Sequence, residues 1–440
     1  MNRIIYQLLW LNHALQHWLK KQLTPSGLGL LGGLFVFGLI GLDIKRSISY
    51  QIFVFLLVIL LVSFALSRWG HYHFSVVRKL PRFGTVGIPL KYRIVINNKN
   101  RRVQHGLNLI ESFADTFPNF RTFKRLVRQS KTRKDWIRRM ARRRWAFAPA
   151  VEVPPLSAQG ETTVTGEIVP LRRGLLRFQK LTLACPEPLG LVNRCVSFAL
   201  PQSVLILPRR YELPPITLPG NRRHQQDGLA LAASVGDSEE FRALREYRPG
   251  DSPRKIHWKS WAKLGKPVIR EEQTEYSVRH ALILDTFQTE DHSEVMEEAV
   301  AIAASLACTV QTQESLLDMV FVSSEAHCFT VGRGLGQTEH LLELLASVVP
   351  CQDQGFESLL PVVRSRLSLL SGCICVFLTW DKDRQALIEQ LQAAGIPVLV
   401  LIITTEKGLA EPPDTSCLQD KQSNLHVLSV NNIQTGLLAL

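Results

Sequence analysis

Several signatures of catalysis are missing from this 440-residue chain. It has no Gly-x-Ser-x-Gly, no His-Glu-x-x-His and no Gly-Lys-Ser/Thr. A nucleophile elbow, a zinc-peptidase helix and a Walker phosphate loop are therefore excluded, and no motif names a reaction. The eight cysteines show no disulfide-scaffold spacing, which fits a reducing compartment and a chain long enough to need no covalent staples. No internal repeat is evident. Two stretches lack charge altogether, residues 22–42 and residues 47–67, and a third, between Arg121 and Arg144, almost lacks acid.

The charge-free stretches are each about 20 residues, enough to cross ~30 Å of hydrocarbon. Only residues 43–46 separate them, so the expectation is a transmembrane helical hairpin over residues 22–68 with both ends on one side. Arg3, Lys20 and Lys21 precede it and Arg68, Arg78, Lys79 and Arg82 follow it, against Lys45 and Arg46 in the turn. That balance puts both termini on the cytoplasmic side, and the expected location is an inner (plasma) membrane. A cleaved signal peptide fits less well, because the first run starts late, has no small-residue cleavage site and is followed by a second apolar run. Residues 1–21 space Ile4, Leu8, Leu11, Leu15 and Trp18 three or four apart, as in an amphipathic helix lying on the membrane with Trp10 and Trp18 at the interface.

With 46% hydrophobic residues, the chain is also long enough for two soluble domains beyond the anchor. Period-two alternation begins at LKYRIVINN, where Leu90, Tyr92, Ile94 and Ile96 share a face, and recurs at ETTVTGEIVPL, LLRFQKLTLAC and SVLILP. This reads as a β-sandwich over residues 71–210. A basic insertion, residues 121–145, interrupts it with twelve Lys or Arg against one acid, Asp135, a net charge of +11 in a chain of net +14. Phe123, Trp136, Ile137, Met140 and Trp145 are interleaved with the charge. Anionic lipid is the favoured partner of this segment, through Arg138, Arg139, Arg142 and Arg143. A solvated insertion and a nucleic-acid surface stay open, the latter without any recognisable nucleic-acid fold.

From residue 278 to 440 short apolar strands alternate with amphipathic helices: HALILD, residues 294–310, MVFVSS, residues 337–348, CICVFLT, residues 384–394, PVLVLII and LHVLSV. A mostly parallel α/β sheet covered on both faces is expected, with ligands at its strands' carboxyl ends. Cys373 and Cys375, two apart in a strand, read as core thiols. The glycines at 332, 334 and 336 depart from dinucleotide and Walker spacings and read as a turn.

Before that sheet, within residues 236–276, lies FRALREYRPGDSPRKIHWKSWAKLGKPVIREEQTE. Pro249-Gly250-Asp251 is a turn, Ser252-Pro253 looks like a helix start, and residues 256–263 are a short helix. Such a cluster serves either as a site or as a lock between domains. Arg245, Tyr247, Gly250, Asp251, Arg254, Ile256, Trp258, Ala262 and Lys263 resemble the signature of the family called domain of unknown function 58, with Lys263 where the family has Arg. LTPSG, SVVRKLP, LRRG, CPEPLGLVNR and ILP elsewhere in the chain are similar to that family too.

The resemblance implies a C-terminal von Willebrand factor A-like (Rossmann-like) domain, and a MoxR-type AAA+ ATPase, often encoded beside members of the family, as partner. Von Willebrand A domains hold a divalent cation at an Asp-x-Ser-x-Ser loop, because hard cations take oxygen ligands. Here the loop runs from Asp285 to Thr289 with Phe287 in place of the first serine, and Thr338 and Asp381 are candidates for the later ligands. No cofactor is expected, Mg²⁺ at this degenerate site being the one candidate. The functional expectation is a membrane-tethered, non-enzymatic adaptor or scaffold for envelope-related assembly or complex maturation. The competing expectation is an envelope-associated hydrolase using Asp251, Arg254 and His257.

Overall fold

The computed structural model describes residues 2–40, 47–68, 72–114, 117–129, 143–214, 241–248, 256–272, 279–289, 293–311, 316–323, 325–331, 335–405 and 424–439. The chain divides into two compact units, residues 1–209 with 343–347, and residues 210–342 with 348–440.

The first unit opens with three helices: α1 (Asn2–Gln22), α2 (Pro25–Ile40) and α3 (Ser47–Arg68). α3 is, among the described residues, the one helix long and apolar enough to cross a bilayer. α2 is equally apolar, but its 16 residues span only about 24 Å. The first charge-free run starts helix α2 three residues later than its own beginning, for a local reason. Thr24 breaks away from α1, its N–H donating to Leu191 O, and its hydroxyl accepts from the N–H of Gly27, capping α2 with Pro25 in the first turn. Leu56 packs against Gly33 and Phe53 against Gly38, so α2 and α3 lie side by side.

Nine strands follow: β1 (Phe74–Lys79), β2 (Phe83–Thr85), β3 (Leu90–Asn98), β4 (Asn108–Phe113), β5 (Ala146–Phe147), β6 (Val151–Glu152), β7 (Glu161–Pro170), β8 (Gly174–Pro186) and β9 (Asn193–Leu207), with α4 (Phe120–Gln129) after β4. They form two sheets, in the orders β1-β3-β7-β5 and β2-β9-β8-β4-β6. Ile94, Ile96, Val164 and Ile168 of the first face Leu109, Phe178, Leu181, Leu183 and Ile206 of the second in one core, as period-two alternation requires. Buried in that core, Arg78 Nε lies 3.2 Å from Glu111 Oε1 and the Tyr92 hydroxyl donates to the same oxygen at 3.1 Å. Burial pushes the Glu111 carboxyl up to about 7, against Arg78 and Tyr92, which lower it.

The β8–β9 turn clamps the helices to the sandwich. Glu187 accepts from the backbone N–H groups of Leu189, Leu191 and Val192 and from the hydroxyl of Ser63 on α3. Burial raises its pKa, but these four donors outweigh that and hold it below the usual range. On the α2 side the Thr24 hydroxyl donates to Gly190 O at 2.6 Å, and a Cβ at Gly27 would stand 2.0 Å from Leu191 O. Only glycine fits there. LTPSG and CPEPLGLVNR are thus two halves of one joint.

α1 is not a helix with a single wetted or lipid-facing stripe. Leu8, Leu11, Leu15 and Trp18 are exposed along one face, as their spacing predicts. On another face Tyr6 packs its ring against Phe117, Phe120 and Phe123, with centroids 5.3 to 5.7 Å apart. Phe123, expected among the lipid-facing residues of the basic insertion, is instead buried. An aromatic side chain of this size gains more by covering a protein core than by staying at a surface.

In the second unit β10 (Phe241–Glu246) and β11 (Val268–Glu272) pair antiparallel around α5 (Trp258–Leu264). The large sheet uses β12 (Arg279–Leu284), β13 (Leu316–Val322), β14 (Ala326–Val331), β15 (Gly372–Phe377), β16 (Val398–Thr404) and β17 (Asn424–Ser429). Its helices are α6 (Glu294–Gln311), α7 (Leu335–Ser347), α8 (Leu360–Arg364), α9 (Lys382–Ala393) and α10 (Ile433–Leu438). The strand order is β14-β13-β12-β15-β16-β17, all parallel except the β13–β14 pair. β12, β15 and nearly all of β16 are buried on both faces, the mark of a sheet covered by helices twice over. α6 packs across β12, β13, β15 and β16. On the opposite face Ile283, Cys373, Cys375, Phe377 and Val400 meet Phe356, Leu387, Ile388 and Leu391. The chain leaves β12 for β13 on one side and returns to β15 on the other, so the order reverses at β12/β15, where ligands of open α/β sheets bind.

Candidate functional site

At that reversal β12 ends and Asp285 follows, completely buried. Its Oδ1 accepts from the N–H of Phe287 at 3.0 Å and its Oδ2 from the N–H of Leu378 at 3.1 Å. Arg384, in the first turn of α9, donates Nε to Oδ2 at 2.7 Å, and its terminal nitrogen lies at the same distance. Asp381 caps α9 by accepting from Arg384 N–H at 3.1 Å and also pairs with the Arg384 guanidinium. The guanidinium is stacked 4.6 Å from the centre of the Phe356 ring, which makes a T-shaped contact with Phe287. Burial pushes the Asp285 pKa up, against the Arg384 charge and the two amides that pull it down.

This arrangement brings Asp285 and Asp381 together as a metal site would, but around a guanidinium. Thr289 is exposed beyond them and Thr338 lies on α7. Thr286, which the motif leaves unassigned, donates its hydroxyl to Val322 O at the end of β13. Phe287, in the expected serine position, turns into the apolar cluster with Phe356. A divalent cation needs about six oxygens. Both oxygens of Asp285 already answer to protein donors, so the residues do not fit a metal at this place. Among the described residues no group of three or more His, Cys, Asp or Glu could hold one. At the amino end of the same sheet Arg279 grips buried Asp318 through two bonds of 2.8 and 2.9 Å, with Arg366 at 3.4 Å; that pair fastens β12 to β13.

The signature segment has the opposite texture. Tyr247 N–H donates to Pro267 O and His257 N–H to Val268 O, each at 2.9 Å, while Ile256 bridges Ile269. These backbone bonds hold α5 against β11. The helix Trp258–Leu264 is capped by His257; the expected start at Ser252-Pro253 lies outside the described residues. The Nδ1 of His257 lies 2.8 Å from Ser260 Oγ and accepts from Ser260 N–H, a capping geometry that consumes the lone pair a general base would need. At the other end Gly265, at φ 67°, donates to Trp261 O. No residue of α5 is buried. Trp258 is 64% exposed and Leu264 61%. The Trp258 and Trp261 rings stack with centroids 5.2 Å apart, and Lys259 and Lys263 are exposed beside them. Arg245 is half-buried on β10. Gly250, Asp251 and Arg254 lie outside the described residues.

Of the lipid-facing candidates, Arg138, Arg139 and Arg142 also lie outside the described residues, and Arg143 is half-buried just before β5. α4 exposes Arg121, Lys124 and Arg128 opposite Phe123. Arg384 and the Glu187 joint were not among the expected site residues. The signal for the first was Asp381 followed three residues later by Arg384 at a helix start.

Residues 243–374 match the model of a family described as a protein of unknown function, DUF58. The chain is 24% identical over 186 residues to the uncharacterized protein YeaD of Bacillus subtilis (strain 168), covering 42% of this chain and 45% of that one. It thus spans less than half the length of that relative. Among solved structures, the CARDB domain of the PF1109 protein of Pyrococcus furiosus, crystallised in complex with di-metal ions, is 13% identical over 31% of this chain and 89% of its own, with a TM-score of 0.18. A solution NMR structure of that domain matches 94% of its own chain with the same identity and TM-score. A likeness this low carries no argument about fold.

Proposed function

We propose that the protein is a membrane-tethered, non-enzymatic adaptor whose second unit engages a cytoplasmic partner through the signature segment. One observation carries this reading. The reversal point of the large sheet, where an α/β enzyme or a cation-dependent binder would place its ligand, is filled by Asp285, Arg384 and Phe287, while α5 offers a stacked tryptophan pair flanked by lysines to the solvent. Exposed tryptophan beside cationic side chains is the composition of an interaction hot spot. The strand order and the antiparallel edge strand β14 support a von Willebrand A-like domain that has exchanged its cation for an internal arginine.

The tether is α3, joined by α2 in a two-helix hairpin. The side-by-side packing of α2 and α3 and their common joint at Glu187 support that reading, since one rigid loop holds the base of both helices. Basic residues on both flanks favour cytoplasmic termini in the inner membrane. The partner implied by the family resemblance is a MoxR-type AAA+ ATPase. Tagged full-length protein purified from membranes is expected to carry ATPase activity, and Trp258→Asp is expected to lose at least tenfold of it while the protein stays in the membrane. Equal ATPase activity with both proteins, or none with either, would overturn the adaptor reading.

A further inference from the structure

Between α1 and strands β8 and β9 lies a cavity of about 350 Å³, lined by His13, Trp18, Lys21, Thr182, Cys195 and Ser197 among others. Its polar groups are one ammonium, Lys21, the His13 ring, the Gln22 amide, the Cys195 thiol and the Thr182 and Ser197 hydroxyls. Lys21 donates to Ser112 Oγ at 3.2 Å, and the Thr182 and Ser197 hydroxyls meet at 3.0 Å. No carboxylate lines it among the described residues. Burial lowers the Lys21 pKa, Cys195 opposes that, and the like charge of Lys180 adds to it. His13 is lowered by burial and by the charge of Arg144. One cation, Lys21, thus stands among hydroxyl, amide and imidazole groups that can donate, with no carboxylate beside it, a set that can receive a phosphate.

The position narrows the source of that phosphate. Lys21 lies in the last turn of α1, four residues before Pro25 opens α2. The α1 carbonyl of Lys21 is itself held by Asn193 and Cys195 of β9, next to the Glu187 joint. If α2 enters the bilayer, Lys21 stands at headgroup depth, and half-exposed Trp18 at the cavity wall is a residue suited to that layer. We propose that this cavity binds the phosphate of an anionic phospholipid headgroup, fixing the sandwich against the inner leaflet. The inference rests on the membrane reading above.

The test uses the full chain in dodecyl maltoside micelles, titrated with phosphatidylglycerol or phosphatidylcholine and followed by native mass spectrometry. Phosphatidylglycerol is expected to bind saturably and phosphatidylcholine at least tenfold more weakly. Lys21→Gln is expected to weaken phosphatidylglycerol at least fivefold. Ser197→Glu, at an exposed position that the core does not need, is expected to do the same by repulsion. Melting curves matching the wild type establish that both variants are folded. Equal binding of the two lipids, or unchanged binding by folded Ser197→Glu, overturns the proposal. Displacement of the lipid by millimolar inorganic phosphate overturns the lipid assignment in favour of a free anion. Release of the wild-type chain from membranes by alkaline carbonate instead overturns the membrane reading, whatever the cavity binds.

Discussion

Asp285 and Trp258 belong to the same unit and are treated in opposite ways. Asp285, at the place where the topology puts a ligand, is sealed under an arginine, two amides and an aromatic cluster. Trp258, on a seven-residue helix with no buried residue, is left in the solvent. A buried charge persists only with its partners in place, whereas an exposed tryptophan adds nothing to a fold and is costly to keep soluble. The difference separates what holds this unit together from what it presents.

The largest expected effect would come from breaking the sealed region. Arg384→Ala strands the Asp285 carboxylate, and losing one member of a buried pair costs ~3–5 kcal/mol. Denaturant unfolding of the second unit should show it, whereas Trp258→Ala should stay within ~0.5 kcal/mol of the wild type. If the two variants unfold alike, the contrast drawn here is wrong.

His280, on the strand that leads to Asp285, gives the next largest effect. Burial pushes its pKa down to about 4. As pH falls below about 6.5 the unfolded chain takes up a proton that the folded one refuses until about 4. Its contribution to stability is therefore complete above 6.5 and declines by up to about 3 kcal/mol toward pH 4. The midpoint of unfolding against pH should slope accordingly, and His280→Phe should flatten that slope. A slope unchanged by the substitution would assign it to other groups.

Mg²⁺ should have the smallest effect. A ligand that binds only the folded state raises its melting temperature, so with Arg384 on Asp285, millimolar Mg²⁺ should leave wild-type melting within about 1 °C. A clear rise that disappears in Asp285→Asn would mean that the guanidinium gives way to metal.

Much of this architecture was legible in the sequence because it rests on periodicity. The alternation at Leu90 to Ile96 and the fully apolar runs at β12, β15 and β16 identify faces directly. Edge strand β14 was missed, since AHCFTV mixes polar and apolar residues on a strand paired on one side only. The candidate cation site was half legible. Asp285 and Asp381 do converge, but the group between them is a side chain ninety-nine positions along the chain from Asp285, and no local pattern pairs residues at that distance. The Glu187 joint was hidden for the same reason. Its two halves, LTPSG and CPEPLGLVNR, stood out separately, and only the fold shows that Gly27 is glycine because Leu191 O lies against it.

The central claim of the proposed adaptor function is that a partner would be recognised through the exposed signature helix and not through the carboxyl edge of the sheet. A photo-crosslinking amino acid placed at Trp258, or at exposed Thr289 beside Asp285, tests it in intact membranes. The account expects a cross-link to a partner protein, the proposed ATPase, from position 258 and none from 289. A cross-link from 289 alone, strengthened by Mg²⁺, would contradict it.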